Sequence, residues 1–317
     1  MTTTLVLGVT GQDGQILSDK LIKEDHLVIG IARNIPNWSS NPLNLIRPKV
    51  LQGDILDSNF MLGIIKTYNP STIYNLAGES SVAKSFLNPT GTLDVNSLGV
   101  LNILESIKKL KMGNKIKIFQ ASSSEMFGNS SSSLSENSSV NPISPYAISK
   151  YLAHKICIRY RDEYGFFISN GILFNHESEL HDSHFVFQKV IRGLIKVSRG
   201  QETKIKLGNL EIERDWGYAP EYIDAMVKIM QTDSPSDYVI ATGQSYSLKF
   251  LIEEVKVQLG IKRNIDEIVE LDLGLIRPTE VTKTCGNPAK IKCELNWSAS
   301  IDFRQLVKKI IEFNLKV

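Results

Sequence analysis

The sequence predicts an α/β protein: an open, parallel sheet wound in both directions, with a smaller lobe toward the C-terminus. Three observations predict it. Apolar runs of strand length alternate with stretches of helical periodicity through the first half of the chain. The earliest run, Leu5 to Leu7, passes into three glycines and then into a helical pattern. Finally, 317 residues is long for one core, which implies a large sheet domain with an appended lobe. The sheet domain is expected over residues 1–173, with a later crossover near 215–243 and a lobe built mainly from 174–317.

The glycines form Gly8-Val-Thr-Gly11-Gln-Asp-Gly14 between strand and helix, with Ile16, Leu17, Leu21 and Ile22 on the helix's apolar face. GxxGxxG in that setting is the Rossmann-type dinucleotide turn. Glycines allow backbone to approach a pyrophosphate, and the helix N-terminus supplies N–H groups and a positive dipole. Gly8, Thr10, Gly11, Gln12, Asp13 and Gly14 are therefore assigned to a cofactor. The second strand, Leu27 to Ala32, ends in Arg33-Asn34 with no acidic residue. An acid there would accept a ribose 2′-OH, whereas an arginine suits a 2′-phosphate, so NADP is expected. A third strand at Val50-Leu51 leads to Asp54 and Ile55, placed beside the adenine. A fourth, Ile73 to Leu76, leads through Ala77 to Ser81, where small residues let the chain pass close to a ribose or a reacting sugar; Leu76 and Ala77 are assigned to the cofactor and Ser81 to the sugar. Gly91 to Leu110 reads as one long helix burying Leu93, Val100, Leu101, Leu104 and Ile107.

Ile116 and Ile118 mark a buried strand that ends near Gln120 and delivers Ser122, Ser123, Ser124 and Glu125 to its C-terminal edge. Downstream, Ser144 reads as an N-cap and Pro145 as the first helical residue, which sets Tyr146 and Lys150 on one helical face. A free tyrosine titrates near pH ~10. A cation one turn away is expected to lower that value and make the phenol a base, with a serine hydroxyl holding the substrate alcohol and a nicotinamide taking the hydride.

Composition narrows the partners. A formal charge of +2 gives no reason to expect nucleic acid or an anionic membrane. Three cysteines, Cys157, Cys285 and Cys293, lack metal-ligand spacing, so no metal is expected and the thiols suit a reducing, cytoplasmic setting. No leader-like segment and no bilayer-length apolar run is evident. Asn129 to Ser139 is a polar, serine-rich loop expected to be a flexible cover beside the site.

In order along the chain, GVTGQDG, YNLAGES, FQASSSEMFG, SPYAISK, GILFNHES, GNLEIERDWG, VIATG and IRPTEV resemble the GDP-mannose 4,6-dehydratase branch of the extended short-chain dehydrogenases/reductases. The resemblance runs from about Leu5 to Trp297. It implies that Tyr146 is the base, Lys150 its partner, Ser123 the hydroxyl where the family usually has threonine, and Glu125 a second acid–base group. It implies that Asn175 contacts the substrate, while His176 is read as a structural hydrogen-bonding residue. Lys189, Arg214 and Arg277 are the cations a diphosphate requires, and Glu280 accepts from sugar or ribose hydroxyls.

The expected reaction is NADP-dependent conversion of a GDP-sugar to its 4-keto-6-deoxy form by C4 oxidation, loss of water across C5 and C6, and hydride return to C6. The alternatives are a GDP-sugar 4-dehydrogenase, 4-reductase or epimerase, including one acting on a GDP-manno-heptose. A non-catalytic NADP-sensing binding protein is the remote alternative. Two departures stand out. Glu179 to Ser183 replaces the family's arginine-bearing run, and Ile35 to Arg47 differs in the loop after the second strand. Both loops belong to the family's tetramer contacts, so a homodimer is expected, with a tetramer as the alternative. Gly78-Glu79 replaces a small-residue-then-Gln pair, which bears on the sugar accepted.

Overall fold

The computed structural model describes residues 2–38 and 43–316, and they fall into two compact units. The first contains the chain up to Phe127, Val140–Leu173 and Ile223–Tyr238; the second contains Gly128–Ser139, Phe174–Tyr222 and the chain from Val239 onward.

Strands β1 (Thr3–Leu7), β2 (Leu27–Ala32), β3 (Lys49–Gln52), β4 (Thr72–Asn75), β5 (Lys117–Ser123) and β6 (Phe167–Leu173) join Tyr238–Ile240 in a seven-stranded sheet. The order is Tyr238–Ile240, β6, β5, β4, β1, β2, β3, and every pair from β6 to β3 is parallel. The winding reverses between β1 and β4, the place where doubly wound sheets open a ligand crevice at their C-terminal ends. Apolar residues of β1 and β2 pack with helix α2 (Ser58–Tyr68) into a core that includes Leu5, Leu7, Ile29, Ile31, Met61 and Ile65, and helix α1 (Gln12–Lys23) buries Leu17 and Leu21.

Two elements differ from the sequence reading. The strand expected to end near Gln120 continues to Ser123, and its polar residues are buried. They are tolerated because each finds a partner on another element. Gln120 Oε1 accepts from Asn75 Nδ2 at 2.7 Å, and Ser122 Oγ lies 3.1 Å from His154 Nδ1. The long helix expected over 91–110 follows α3 (Val82–Leu87) and is divided into α4 (Pro89–Leu93), a π-helical turn (Asp94–Leu98) and α5 (Gly99–Lys109).

The helix bearing Tyr146 and Lys150 begins as its sequence predicts. In α6 (Pro145–Tyr164), Ser144 Oγ accepts the Ala147 N–H at 3.1 Å and Pro145 opens the first turn. Farther along, Arg161 grips the Asp237 carboxylate through two bonds of 2.8 and 3.2 Å, and Asn170 Nδ2 donates to the same group at 2.8 Å. His154 Nε2 stands 3.7 Å from it.

The second unit has its own core, in which α7 (Val186–Ser198) packs with helices Leu248–Leu259 and Phe303–Lys316. Phe187, Trp216 and Phe303 interlock there at centroid distances of 5.7, 6.2 and 5.8 Å. Strand β7 (Asn175–Glu177) pairs in parallel with Trp216–Tyr218. Asp215, fully buried, collects the Thr242 N–H and hydroxyl, the Gly243 N–H and the Gly286 N–H at 2.6–3.2 Å. The serine-rich segment read as a flexible cover is fastened within this unit. Leu134 is buried and exchanges backbone bonds of 2.8 Å with Cys285 and Asn287, and Glu136 Oε1 accepts the Val239 N–H at 2.7 Å.

Among the described residues, no helix is long and apolar enough to cross a membrane. No cluster of His, Cys, Asp and Glu there is suited to a metal.

Candidate active site

The glycine turn is shaped by two residues that admit no side chain. Gly8 has φ +82°, and a Cβ on it would lie 2.8 Å from backbone atoms of Leu76 and Ala77. A Cβ on Gly14 would meet the Gly8 carbonyl oxygen at 2.4 Å, so α1 can start this close to β1 only with glycine there. Gly8 and Val9 donate to Ile31 O at 3.1 and 3.4 Å, which binds the turn to the end of β2. Arg33 follows β2 and is exposed, and its carbonyl accepts from Gln52 Nε2 at 3.0 Å. Asp54 turns its own loop, Oδ1 accepting the Leu56 N–H at 2.9 Å. The Ile55 side chain lies in the core, which leaves its backbone as the part able to meet a ligand.

Tyr146 and Lys150 are buried on one face of α6. Lys150 Nζ sits 5.9 Å from the Tyr146 ring centroid and donates to Ala121 O of β5 at 3.1 Å. Burial lowers the Lys150 pKa to about 8, against a raising influence from Asp13 in the first turn of α1. The expectation that this cation brings the phenol down is not met. Burial pushes Tyr146 up to about 12; a hydrogen bond with Ser123 draws it down, while the charges of Glu125, Glu79 and Asp13 add to the rise. The physical reason is that desolvation acts on the phenolate directly, whereas the ammonium is turned toward a carbonyl.

That balance also shows which predicted residues come together. Ser123 ends β5, and its Oγ accepts the Glu125 N–H at 3.2 Å; Glu125 lies in a single 3₁₀ turn, Ser124–Phe127. Ser123, Glu125, Tyr146, Lys150 and Asp13 therefore share one electrostatic neighbourhood in the first unit. Ser81 is also in this unit, where its hydroxyl caps α3 by accepting the Lys84 N–H at 3.2 Å.

Sequence reasoning missed Asn96. Within the π-helical turn its amide accepts the Glu79 N–H at 2.9 Å and donates to Glu79 O at 3.1 Å and to Ser149 Oγ at 2.9 Å. It thereby holds Gly78-Glu79 against the helix turn that carries Lys150. In the sequence Asn96 is one of several polar residues between Gly91 and Leu110, with nothing to set it apart from a solvent-facing helix position.

The other residues expected to meet the sugar lie in the second unit. Asn175 is exposed at the start of β7, paired with Trp216. Arg214, two residues earlier than Trp216, is buried and donates from Nη1 to Glu213 O at 2.9 Å. His176 bonds Phe174 O through Nδ1 at 2.7 Å and stacks on Tyr222 at 4.7 Å. Lys189 on α7 is half-buried, which lowers its pKa, and Asp272 raises it in opposition. Arg277 and Glu280 follow the short turn Leu273–Leu275, and the Glu280 carbonyl faces Asn129 Nδ2 at 3.5 Å. Asn175 thus pairs two residues beyond Arg214, and Lys189 feels the charge of Asp272, five residues before Arg277.

Comparison with known proteins agrees with this geometry. A model of the GDP-mannose 4,6 dehydratase family matches residues 5–310. GDP-mannose 4,6 dehydratase 1 of Arabidopsis thaliana is 38% identical over 325 residues, covering 99% of this chain and 90% of that protein. The GDP-mannose 4,6-dehydratase of Vibrio cholerae is 34% identical over 348 residues, covering 99% and 94%. Among solved structures, dTDP-glucose 4,6-dehydratase of Bacillus anthracis in complex with NAD superposes with a TM-score of 0.83 at 20% identity, covering 100% and 97%. RMD of Pseudomonas aeruginosa complexed with NADPH does so at 0.81 and 20%, covering 100% of both chains. These two structures share the fold. The family match and the full-length relatives, joined to a dinucleotide turn and a Ser-Glu-Tyr-Lys cluster on one sheet edge, lead to one conclusion: the chain belongs to the GDP-mannose 4,6-dehydratase family of nucleotide-sugar enzymes.

Proposed function

We propose that the chain is an NADP-dependent lyase converting GDP-mannose, or a GDP-sugar close to it, to the 4-keto-6-deoxy product. The observation that carries this reading is the position of Glu125, in the turn directly after β5 with its N–H on Ser123 Oγ at 3.2 Å, at the strand end that also faces the buried Tyr146 phenol. An alcohol dehydrogenase has no use for that acid, whereas a dehydratase needs one. The strand, glycine turn and helix from Leu5 to Lys23 suit a dinucleotide, because glycine at positions 8 and 14 lets α1 start directly against the end of β1 with its N-terminus facing the sheet edge. Two proteins of the same fold are described with NAD and with NADPH, which supports a nicotinamide; Arg33 at the end of β2, with no acid beside it, favours the 2′-phosphate. When bound, the nicotinamide supplies a hydride acceptor that later returns what it took.

The chain's own residues then divide the proton work. Ser123 orients the C4 hydroxyl, and Tyr146 as phenolate takes its proton while that carbon gives up hydride. Burial holds the proton on Tyr146, and Lys150, one turn along the same helix face, is the cation we assign to stabilise the phenolate once it forms. With a ketone at C4 the C5 proton is acidic; Glu125 takes it and gives it to the departing C6 oxygen, which leaves as water. The proton that Tyr146 took at C4 is then the one available for C5, and a bound nicotinamide would supply the hydride that C6 gains, so that none is consumed. Asn175, Lys189, Arg214, Arg277, Glu280 and Ser81 are the residues we assign to the nucleotide sugar. Glu79, whose Oε1 accepts the Ser81 N–H at 2.8 Å, is the residue we assign to the choice of sugar, with a GDP-manno-heptose as the alternative substrate. Exposed Leu98, Ile148 and Leu152 support a homodimer, and three free cysteines suit the cytoplasm.

Incubation with GDP-mannose and NADP tests the reading: 4-keto product should accumulate without net NADPH. Stoichiometric NADPH would instead identify a 4-dehydrogenase. Glu125→Gln should lower turnover by about two to four orders of magnitude, the usual weight of a positioned acid–base group, with NADP affinity unchanged. Unaltered turnover in that variant would remove Glu125 from the chemistry.

A further inference from the structure

We propose that Arg47 is a second cation for the cofactor's 2′-phosphate, acting with Arg33; this rests on the NADP reading above. Arg33 is exposed, and a single exposed guanidinium discriminates weakly between a phosphate and a hydroxyl. The loop after β2 returns toward the start of α1 and is fastened there. Asp19 Oδ1 accepts the Ile46 N–H at 2.8 Å, and the other oxygen holds Lys23 Nζ at 2.7 Å. The next residue, Arg47, donates from Nη1 to Gln15 Oε1 at 2.8 Å, and its guanidinium lies over the Trp38 ring, 4.6 Å from the centroid. Gln15 in turn donates from Nε2 to Thr10 O at 3.0 Å, inside the glycine turn. Arg47 is therefore two hydrogen bonds from the turn that Gly8 and Val9 tie to Ile31, two residues before Arg33.

Arg47 is thus linked through Gln15 to the glycine turn, while Arg33 follows directly on the strand to which that turn is tied. Stacking on an indole fixes the plane of a guanidinium, and a fixed plane is what bidentate contact with a phosphate requires. Residues 39–42 of this loop lie outside the described part, and neither anchor depends on them.

The test is calorimetric titration of the full chain with NADP and, separately, with NAD. Arg47→Gln should weaken NADP by about tenfold, the worth of one charge-assisted contact, and leave NAD within about twofold. Arg47→Lys keeps the charge but loses the fork, so it should lose several-fold for NADP alone. Equal loss for both cofactors, or none for either, would overturn the proposal and make Arg47 a loop fastener. If Arg47→Gln does not fold, the lysine variant decides by the same two outcomes. A wild-type chain that binds NAD as tightly as NADP would reject the NADP reading itself, a failure seen before any substitution.

Discussion

Asp237 in the first unit and Asp215 in the second are both withdrawn from water, yet their charges are kept by different means. Asp237 lies against the Arg161 guanidinium and faces His154, and although burial pushes its pKa up, those partners leave it below the usual carboxylate value. Asp215 meets only neutral donors, from Thr242, Gly243 and Gly286, and burial leaves its pKa raised. A counter-charge repays desolvation; aligned N–H and O–H dipoles repay it only in part. Lys150 is a third case, lowered to about 8 with a backbone carbonyl as its hydrogen-bond acceptor. The lesson is that the group poised for chemistry is the least compensated of the three.

Substitutions can break this contrast, and the largest effect should come from Asp237→Asn. Leaving the half-buried Arg161 without its carboxylate should cost about 3 kcal/mol in chemical denaturation, the low end for one partner of a buried pair because Arg161 keeps some solvent. Because Asp237 has a depressed pKa, its stabilisation is present above the unfolded-state value and lost as pH falls through the folded one. The variant should therefore be less acid-sensitive than the parent, and equal sensitivity would show that the pair carries no net charge coupling.

Next in size, Lys150→Met should abolish turnover and yet raise stability at pH 7 by up to about 3 kcal/mol, since a pKa unit is worth about 1.4 kcal/mol. The folded chain releases the Lys150 proton near pH 8 and the unfolded chain near 10.5, so the parent regains stability between those values and the difference should shrink there. A variant that is less stable at neutral pH would contradict a penalised ammonium.

The smallest effect is expected for Asp215→Asn, about 2 kcal/mol from lost charge-assisted hydrogen bonds. Here the acid slope has the opposite sign. The raised folded pKa means that the parent takes up a proton more readily when folded, so acidification should widen its advantage over the variant. Parallel acid slopes for the Asp215 and Asp237 variants would erase the distinction between the two sites.

What could be read from the sequence was what is decided locally. A glycine that must hold a positive φ, or a serine and a proline that start a helix, carry their reasons within a few residues, and Gly8, Ser144 and Pro145 stand where their neighbours require. The end of β5 was misjudged because Gln120-Ala-Ser-Ser123 looks too polar for a buried strand until Asn75 and His154, far away in sequence, satisfy it. The phenol was misjudged for a related reason: helical spacing shows that Lys150 is a turn from Tyr146, but burial and three carboxylates from other segments set the proton affinity. Asn96 and Arg47 gave little sign of themselves, because a break in helical winding and a loop folding back onto α1 are products of tertiary structure.

The π-helical turn at Asp94–Leu98 adds a last point about how the molecule is made. Such a turn holds one residue more than regular winding needs. Deleting one residue from it would let the hydrogen-bond ladder run unbroken while Val100, Leu104 and Ile107 kept their buried stripe. A better-wound helix lies one codon away, and what the deletion would remove is the amide that brackets Glu79.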